Sequence, residues 1–312
     1  MAGYNPVSRC TRSAVDLHHV PEPWMSRSHE IQRQIRNVQR LQRVMRSMQL
    51  VAMAKRRRCT DRMLAGRPYA AAIRHVARHV VAAHSEFKHP LLDHRDDQRA
   101  GYIVVTSDRG LCGGLNHRLL TRVNHVMDAR TETTADIPLG VFGKRGTAYF
   151  RRRAGRVLAS ANNLADAPAA EALTETIRTL IDEYAQGRID RLFLAFNRFE
   201  NVLHQKPMIV QLLPVLPIES EDMPHTWDYI YEPESVDLID AVLRRYIHYQ
   251  IYQAVLENRA SEMTARATAM QKATDNAANR IKKLTLIRHK LRQAAITQEI
   301  QEIMAGCEAT SG

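Results

Sequence analysis

Two long stretches at the ends of the chain carry apolar residues at helical spacing. From Ser28 to about Leu64 there is neither proline nor glycine, and the apolar positions there are Ile31, Ile35, Val38, Leu41, Met45, Met48 and Ala52. This spacing of three and four predicts an amphipathic helix with Ser28 as its N-cap. Beyond Pro233 there is no further proline. A heptad-like series follows, made of Met263, Ala267, Met270, Thr274, Ala277, Ile281, Leu284, Leu291 and Ala295, with Arg288 between the two leucines.

The second stretch predicts one helix over about residues 235–305. At 1.5 Å per residue, such a helix would be about 100 Å long, which exceeds the width of a compact domain of this size. Its single apolar stripe needs a partner, and the N-terminal stripe is the obvious candidate. We therefore expect an antiparallel coiled coil built from the two ends of one chain. Alanine, methionine and threonine at many inner positions permit close approach of the two helices.

The middle of the chain predicts a small Rossmann-like α/β domain with a partly parallel sheet. Strand-like runs are "GYIVVTS" (101–107), "LGVFG" (139–143), "RLFLAFNRF" (191–199) and "MIVQLLPV" (208–215), and helical stretches lie near 115–129 and 169–186. A further helix at about 68–88 would connect the N-terminal helix to the first strand. The fold class is thus mixed α+β and α/β. The predicted parts are an N-terminal extension (1–24), the N-terminal long helix (25–66), the α/β domain with its connecting helix (67–220) and the C-terminal long helix (235–309).

The chain has a formal net charge of +12, which indicates an acidic partner. Residues 27–62 carry eleven arginine and lysine residues against only Glu30 and Asp61. A basic coiled-coil protein that binds nucleic acid could have this pattern, although no stacking aromatics are interleaved with the basic residues. An acidic protein sleeve around the helices explains the charge equally well. The sequence has no apolar run of the roughly 20 residues that a membrane span requires.

The candidate chemistry of the sequence argues against catalysis by this chain. The loop "TSDRGLCGGLN" (106–116) follows a strand and contains three glycines, but it matches neither dinucleotide-binding nor P-loop spacing. Its glycines predict a tight turn with positive φ angles. The four cysteines, Cys10, Cys59, Cys112 and Cys307, form no metal-binding pair, and His75 and His79 are flanked by arginines that would repel a cation. We therefore expect no catalytic residue, no cofactor and no metal.

Three separated blocks resemble the gamma subunit of F-type ATP synthases. They are "TSDRGLCGGLN", "IQRQIRNVQRLQRVMRSMQLVAMAKRRR" and a C-terminal half that includes "WDYIYEP", "VLRRYIHYQIYQAVLENRASEMTARATAMQKATDNA" and "RQAAITQEIQEIMAG". The resemblance covers about residues 25–309. It implies a non-catalytic rotor shaft of a proton-transporting two-sector ATPase, inside a ring of alpha and beta subunits that bind the nucleotides. The other implied partners are the epsilon subunit and the membrane c-ring, so the chain would be peripheral to the membrane and would bind no nucleic acid.

The resemblance also implies where the shaft contacts its ring. Met48 and Lys55 match positions that pass an acidic loop of the beta subunit, although Met48 is equally well explained as a coiled-coil core residue. The polar positions of the upper shaft are matched by Arg292, Gln293, Thr297 and Glu299. The resemblance implies a further contact at Arg109, and the segment from Asn197 to Lys206 would lie near the c-ring.

The resemblance is closer to bacterial than to animal mitochondrial gamma subunits. "WDYIYEP" and the second glycine of "CGG" carry this likeness. It implies the cytoplasmic side of the bacterial inner membrane, with the matrix side of the mitochondrial inner membrane as the alternative. Residues 1–24 have no counterpart in the family pattern.

Overall fold

A computed structural model describes residues 23–83, 89–92, 95, 99–130, 137–153, 156–165, 168, 171–215 and 235–311. In chain order the elements are α1 (Pro23–Ala83), β1 (Ala100–Val105), α2 (Leu115–Arg130), β2 (Pro138–Phe142), α3 (Lys144–Arg152), β3 (Arg156–Ala161), α4 (Glu171–Ala185), β4 (Arg191–Phe199), β5 (Gln205–Leu213) and α5 (Ser235–Ser311). The chain divides into two compact units, residues 44–274 and residues 1–43 with 275–312. The predicted extension 1–24 lies almost wholly outside the described residues.

Helix α1 is longer than the sequence predicts. Two helices were expected, with a break near Gly66 and Pro68, but one helix runs from Pro23 to Ala83 with Pro68 inside it. The reason is tertiary packing: Gln253 and Gln250 of α5 donate hydrogen bonds to the backbone oxygens of Met63 (3.0 Å) and Ala70 (2.8 Å), on either side of the proline. The helix also begins before Ser28, at Pro23, where proline suits the first turn because its missing N–H would have no helical partner.

Helices α1 and α5 pack antiparallel within residues 44–274. Gln49 bonds to Gln271, Arg67 to Glu257, and Arg74 to Gln250, so the partner's number falls as the position along α1 rises. The buried side chains between them include Cys59, Met63, Leu256, Ala260 and Met263. The predicted antiparallel coiled coil is confirmed.

The other unit contains the remaining parts of the same two helices, residues 23–43 and 275–311. Among the described residues of this unit, the buried apolar side chains are Ile35, Ala277, Leu284 and Ala295. All four lie in the predicted apolar series.

Within the residues that the structure describes, the sheet has five strands in the order β3-β2-β1-β4-β5. Strands β1 to β4 pair parallel and β5 pairs antiparallel with β4, so the partly parallel sheet is confirmed. Every residue of β1 and β2 is buried, as expected for strands covered on both faces. Neither β3 nor α3 was predicted from the sequence. The order of β1, β2 and β3, with helices between them, is the Rossmann-like part of the domain.

Helix α5 is enclosed where it crosses the sheet. From Tyr246 to Thr264 every residue is buried or half-buried. Ile239, Leu243, Ile247 and Ile251 join the core formed by α4, β1 and β4. This stretch also carries buried polar side chains, and they connect α5 to its neighbours. Glu257 accepts from the backbone N–H of Phe199 (3.0 Å), and the side-chain amide of Asn197 donates to Asn258 (2.8 Å).

Candidate functional site

The loop between β1 and α2 is held by its own side chains. Asn116, in the first turn of α2, accepts from the backbone N–H of Ser107 (3.1 Å) and donates to its hydroxyl (2.7 Å). The Ser107 hydroxyl in turn donates to the backbone oxygen of Arg109 (2.8 Å). Cys112 is buried beneath this network. The result is a compact turn that presents Arg109 and Leu111 outward, since both are exposed.

The same loop also fills the position where an α/β protein would bind phosphate, the N-terminus of a helix after a parallel strand. The carboxylate of Asp108 accepts from the backbone N–H groups of Lys144 (3.1 Å) and Asn163 (3.0 Å). The backbone N–H groups of Arg145 and Gly146 donate to the Ser107 backbone oxygen (3.1 Å) and the Thr106 hydroxyl (2.9 Å). The first N–H groups of α3 are therefore used internally, and a fixed negative charge lies beside them. This arrangement disfavours a bound phosphate.

The positive φ angles of the loop differ from the prediction. Of the three glycines only Gly113 is left-handed, at φ +60°, while the non-glycine Leu111 has φ 64°. A left-handed conformation is uncommon for a leucine, and its side chain is 61% exposed. Gly110 has a different role: an added Cβ would lie 2.4 Å from the guanidinium of Arg145, so the missing side chain makes room for that group.

A cleft of about 520 Å³ lies beside the loop, within residues 44–274. One wall is α1 from Ser47 to Lys55, another is the loop from Asp108 to Leu111, and the third is α5 from Arg259 to Arg266. The cleft brings together three of the residues assigned to ring contact, Met48, Lys55 and Arg109. We call it the loop cleft.

The loop cleft is basic with an apolar component. The described part of the chain lines it with five cationic side chains, Lys55, Arg109, Arg145, Arg259 and Arg266, and with the carboxylates of Asp108 and Glu262. Glu262 pairs with both Arg259 (2.8 Å) and Arg266 (2.7 Å), and Asp108 accepts backbone N–H groups. Met48 and Leu111 are exposed at 40% and 61%. Such a surface suits an acidic polypeptide that also carries apolar side chains.

Arg266 connects the loop to α5. Its guanidinium donates to the backbone oxygens of Arg109 (3.3 Å) and Gly110 (3.2 Å). Glu262, which is 1% exposed, holds that guanidinium in place. The loop therefore has a fixed position on the helix. Arg259, Glu262 and Arg266 were not predicted as site residues, although their spacing of three and four places them on one face of α5.

The exposure of Met48 decides one question that the sequence left open. A core residue of the coiled coil would be buried, but Met48 is 40% exposed, and the half-buried position beside it belongs to Gln49. Its interpretation as a core residue is therefore wrong. Leu41, also predicted to lie in the apolar seam, is 59% exposed.

The remaining predicted contact residues lie in the unit formed by residues 1–43 and 275–312. Arg292, Gln293, Thr297 and Glu299 are all exposed on α5. The hydroxyl of Thr297 donates to the backbone oxygen of Gln293 (3.0 Å). The same stretch exposes an apolar stripe at helical spacing, formed by Ile296, Ile300, Ile303 and Met304.

Comparison with known proteins identifies the family. The ATP synthase family model matches residues 27–310. The ATP synthase gamma chain of Nitrosococcus oceani is 44% identical over 288 residues, which cover 91% of this chain and 100% of that protein. The chain belongs to the ATP synthase gamma chain family. The resemblance drawn from the three sequence blocks is thereby confirmed, and the match gives no support to the nucleic-acid alternative.

Solved structures agree on the fold. A chain of the Tetrahymena thermophila mitochondrial ATP synthase, from a structure of its central stalk and c-ring, has a TM-score of 0.57 at 21% identity and covers 74% of this chain and 99% of that one. A chain of the Euglena gracilis mitochondrial ATP synthase has a TM-score of 0.63 at 17% identity and covers 92% and 95%. Across the described residues, no helix is long and apolar enough to cross a bilayer. Those residues also contain no group of three side chains suited to hold a metal.

Proposed function

We propose that this gamma chain is the non-catalytic central shaft of an F-type ATP synthase. In this role its coiled coil turns inside a ring of alpha and beta subunits, while its α/β domain meets the c-ring and the epsilon subunit. The chain would then be peripheral to the membrane, on the cytoplasmic side of a bacterial inner membrane. The 44% identity to a bacterial gamma chain supports this location over the mitochondrial one.

The loop cleft is the observation that carries the proposal. It combines Met48, Lys55 and Arg109 on a basic surface that is fixed to α5 through Arg266. An acidic loop of a beta subunit would complement this surface. Exposed ion pairs of this kind contribute about 0–1 kcal/mol each. Contacts this weak can form and break repeatedly as the shaft turns.

The shaft acts by making chemically identical sites unequal. Each catalytic site of the ring contacts a different face of the shaft. Each face favours the conformation of the site to which it binds most tightly, and this shifts the conformational population of that site. The exposed residues Arg292, Gln293, Thr297 and Glu299, beside the apolar stripe that starts at Ile296, form a second proposed contact with the ring. The segment from Asn197 to Lys206 is the proposed contact with the c-ring. Its hairpin exposes Leu203 at 81%.

The first test is purification of the tagged chain from its native host after gentle solubilisation. We expect one copy for three alpha and three beta subunits, together with epsilon and c. Recovery of the chain with nucleic acid and without those subunits would overturn the proposal.

The second test is the variant Lys55→Glu with Arg109→Glu in the assembled complex. We expect reduced coupling, measured as ATP-driven proton pumping per ATP hydrolysed, because two attractions to an acidic loop become repulsions. The matched control is Arg118→Glu with Arg122→Glu, which makes the same charge change on the exposed face of α2. Equal coupling in the two variants would remove the loop cleft from the ring contact.

A further inference from the structure

A second cleft, of about 370 Å³, lies among α1, α5 and the sheet edge at β5, within residues 44–274. Its rim carries four arginines, Arg67, Arg74 and Arg78 from α1 and Arg198 from β4. Its floor is apolar and includes Phe196 and Tyr246. We call it the arginine cleft. It takes no part in the ring contact proposed above.

The arginine cleft has more positive charge than its own carboxylate can balance. Among the described residues that line it, Glu257 is the one carboxylate, and Arg67 already pairs with it at 2.9 Å. Arg74 donates to the side-chain oxygen of Gln250 (2.7 Å), which is neutral. Arg78 and Arg198 form no ion pair with any carboxylate of the described residues. Burial raises the pKa of Tyr246, and the cations of Arg74 and Arg78 partly oppose this, so both guanidinium groups act on the cleft floor.

We propose that the arginine cleft binds an acidic, aromatic polypeptide segment, and that this segment is the chain's own residues 216–234. In a chain of net charge +12, this stretch contains six carboxylates and no lysine or arginine. The carboxylates are Glu219, Glu221, Asp222, Asp228, Glu232 and Glu234. It also contains Trp227, Tyr229 and Tyr231, whose rings match an apolar floor with a cationic rim.

The connectivity makes this occupant available. Strand β5, which lines the cleft through Met208, Val210 and Leu212, ends at Leu213, just before the segment. Helix α5 begins at Ser235, just after the segment, and lines the cleft from Tyr246 onward. The 19 residues between Val215 and Ser235 can span up to about 60 Å when extended, so the helices and strands need not move. The cleft volume accommodates only part of the segment. Residues 227–232, which combine the aromatic rings with Asp228 and Glu232, are the part that fits its chemistry.

Tryptophan fluorescence of the full-length chain tests the proposal. The chain has two tryptophans, so Trp24→Phe leaves Trp227 as the sole reporter. We expect blue-shifted emission and weak acrylamide quenching in this background. Adding Arg78→Glu with Arg198→Glu should shift the docking equilibrium about tenfold toward the undocked state, with red-shifted emission and stronger quenching. The control variant Arg118→Glu with Arg122→Glu should leave both signals unchanged.

Exchanging the charges of the cleft and the segment distinguishes a direct contact between them from a general loss of structure. Adding Asp228→Arg with Glu232→Arg to the Arg78→Glu, Arg198→Glu variant should restore weak quenching. Equal quenching of Trp227 in the Trp24→Phe chain and in the charge-reversed variant would overturn the proposal. Protection of Trp227 only after other subunits are added would also overturn it, because the cleft would then bind an external partner.

A disulfide test covers the case in which the charge-reversed variant does not fold. With Cys10 and Cys307 replaced by serine, Val210→Cys and Tyr229→Cys should form an intramolecular disulfide under mild oxidation. The pair Val210→Cys and Ser220→Cys, with the second cysteine outside the docked stretch, is the matched control. Equal or absent cross-linking of both pairs would contradict docking of residues 227–232.

Discussion

The substitution Glu257→Gln should loosen the connection between the coiled coil and the sheet. Glu257 lies on α5 and is 6% exposed. One carboxylate oxygen accepts from the Nε of Arg67 on α1 (2.9 Å), and the other accepts from the backbone N–H of Phe199 at the end of β4 (3.0 Å). Arg67 also donates to the backbone oxygen of Phe199 (2.7 Å). One carboxylate therefore connects two helices and a strand.

The magnitude follows from what glutamine can replace. Its oxygen can still accept from the buried N–H of Phe199, but its amide nitrogen then faces the guanidinium of Arg67, so donor meets donor. A hydrogen bond to a charged group contributes about 1.5–3 kcal/mol. The Arg67 side chain is 36% exposed and can recover part of this by binding water. We expect the free energy of unfolding to fall by about 2 kcal/mol.

Urea unfolding of the full-length chain, followed by circular dichroism, measures this change. The control is Glu302→Gln, an exposed position on the same helix, which should change stability by less than about 0.5 kcal/mol. A cycle with Arg67→Met should give a coupling energy of about 1–2 kcal/mol between Arg67 and Glu257. A loss below about 0.5 kcal/mol for Glu257→Gln, with no coupling to Arg67, would refute the role given to this carboxylate.

Three further substitutions test the loop and the sheet. Asp190→Asn should lower the free energy of unfolding by about 1.5–3 kcal/mol at pH 7, because it removes the carboxylate that accepts from Arg99. The hydrogen bond from Arg99 lowers the pKa of the Asp190 carboxyl, so its stabilisation is present above the ordinary pKa of 3.8 and is lost as the pH falls through the lower folded pKa. The urea midpoints of variant and parent should therefore converge at acid pH. Gly143→Ala should cost about 2–3 kcal/mol in urea unfolding, because Gly143 has φ +97° and an added Cβ would lie 2.4 Å from the backbone oxygen of Thr106; a loss under about 0.5 kcal/mol would contradict this. Arg266→Ala should speed amide hydrogen exchange in residues 107–113, because their backbone oxygens lose a donor on α5, while exchange in β4 stays the same.

Periodicity predicted the architecture but not its details. The two long helices, their antiparallel pairing and the partly parallel sheet all follow from spacing patterns that burial imposes on a sequence. The break expected at Gly66 and Pro68 was wrong because local propensity was overridden by glutamines of α5, which are distant in sequence. Helix α3 was missed because its nine residues are mostly basic or small and have few apolar side chains. Strand β3 was missed because it is short and only half-buried.

The residues of the candidate site were predicted only where the sequence matches family motifs. Met48, Lys55 and Arg109 were assigned from their positions in matching blocks, and the fold brings them to one cleft. Arg266 and Glu262 were not assigned because their role depends on a contact between residues more than 150 positions apart. The hydrogen bond from α3 to Asp108 could not be predicted either, because it requires β1 and β2 to be neighbours in the sheet.

Leu41 and Met48 were placed in the coiled-coil seam of α1 because they are apolar, but the seam runs through other positions. A seam with strict heptad spacing alternates steps of four and three residues. The apolar series contains two consecutive steps of three, from Ile35 to Val38 and on to Leu41, whereas choosing Gln42 and Gln49 restores the alternation. The structure follows the alternation: Gln42 and Gln49 are half-buried, and Gln49 bonds to Gln271 across the coiled coil. Leu41 and Met48 are thereby displaced to the outside. In the proposed function other subunits enclose the shaft, so its exterior is an interface and exposed apolar side chains at these positions would contact those subunits.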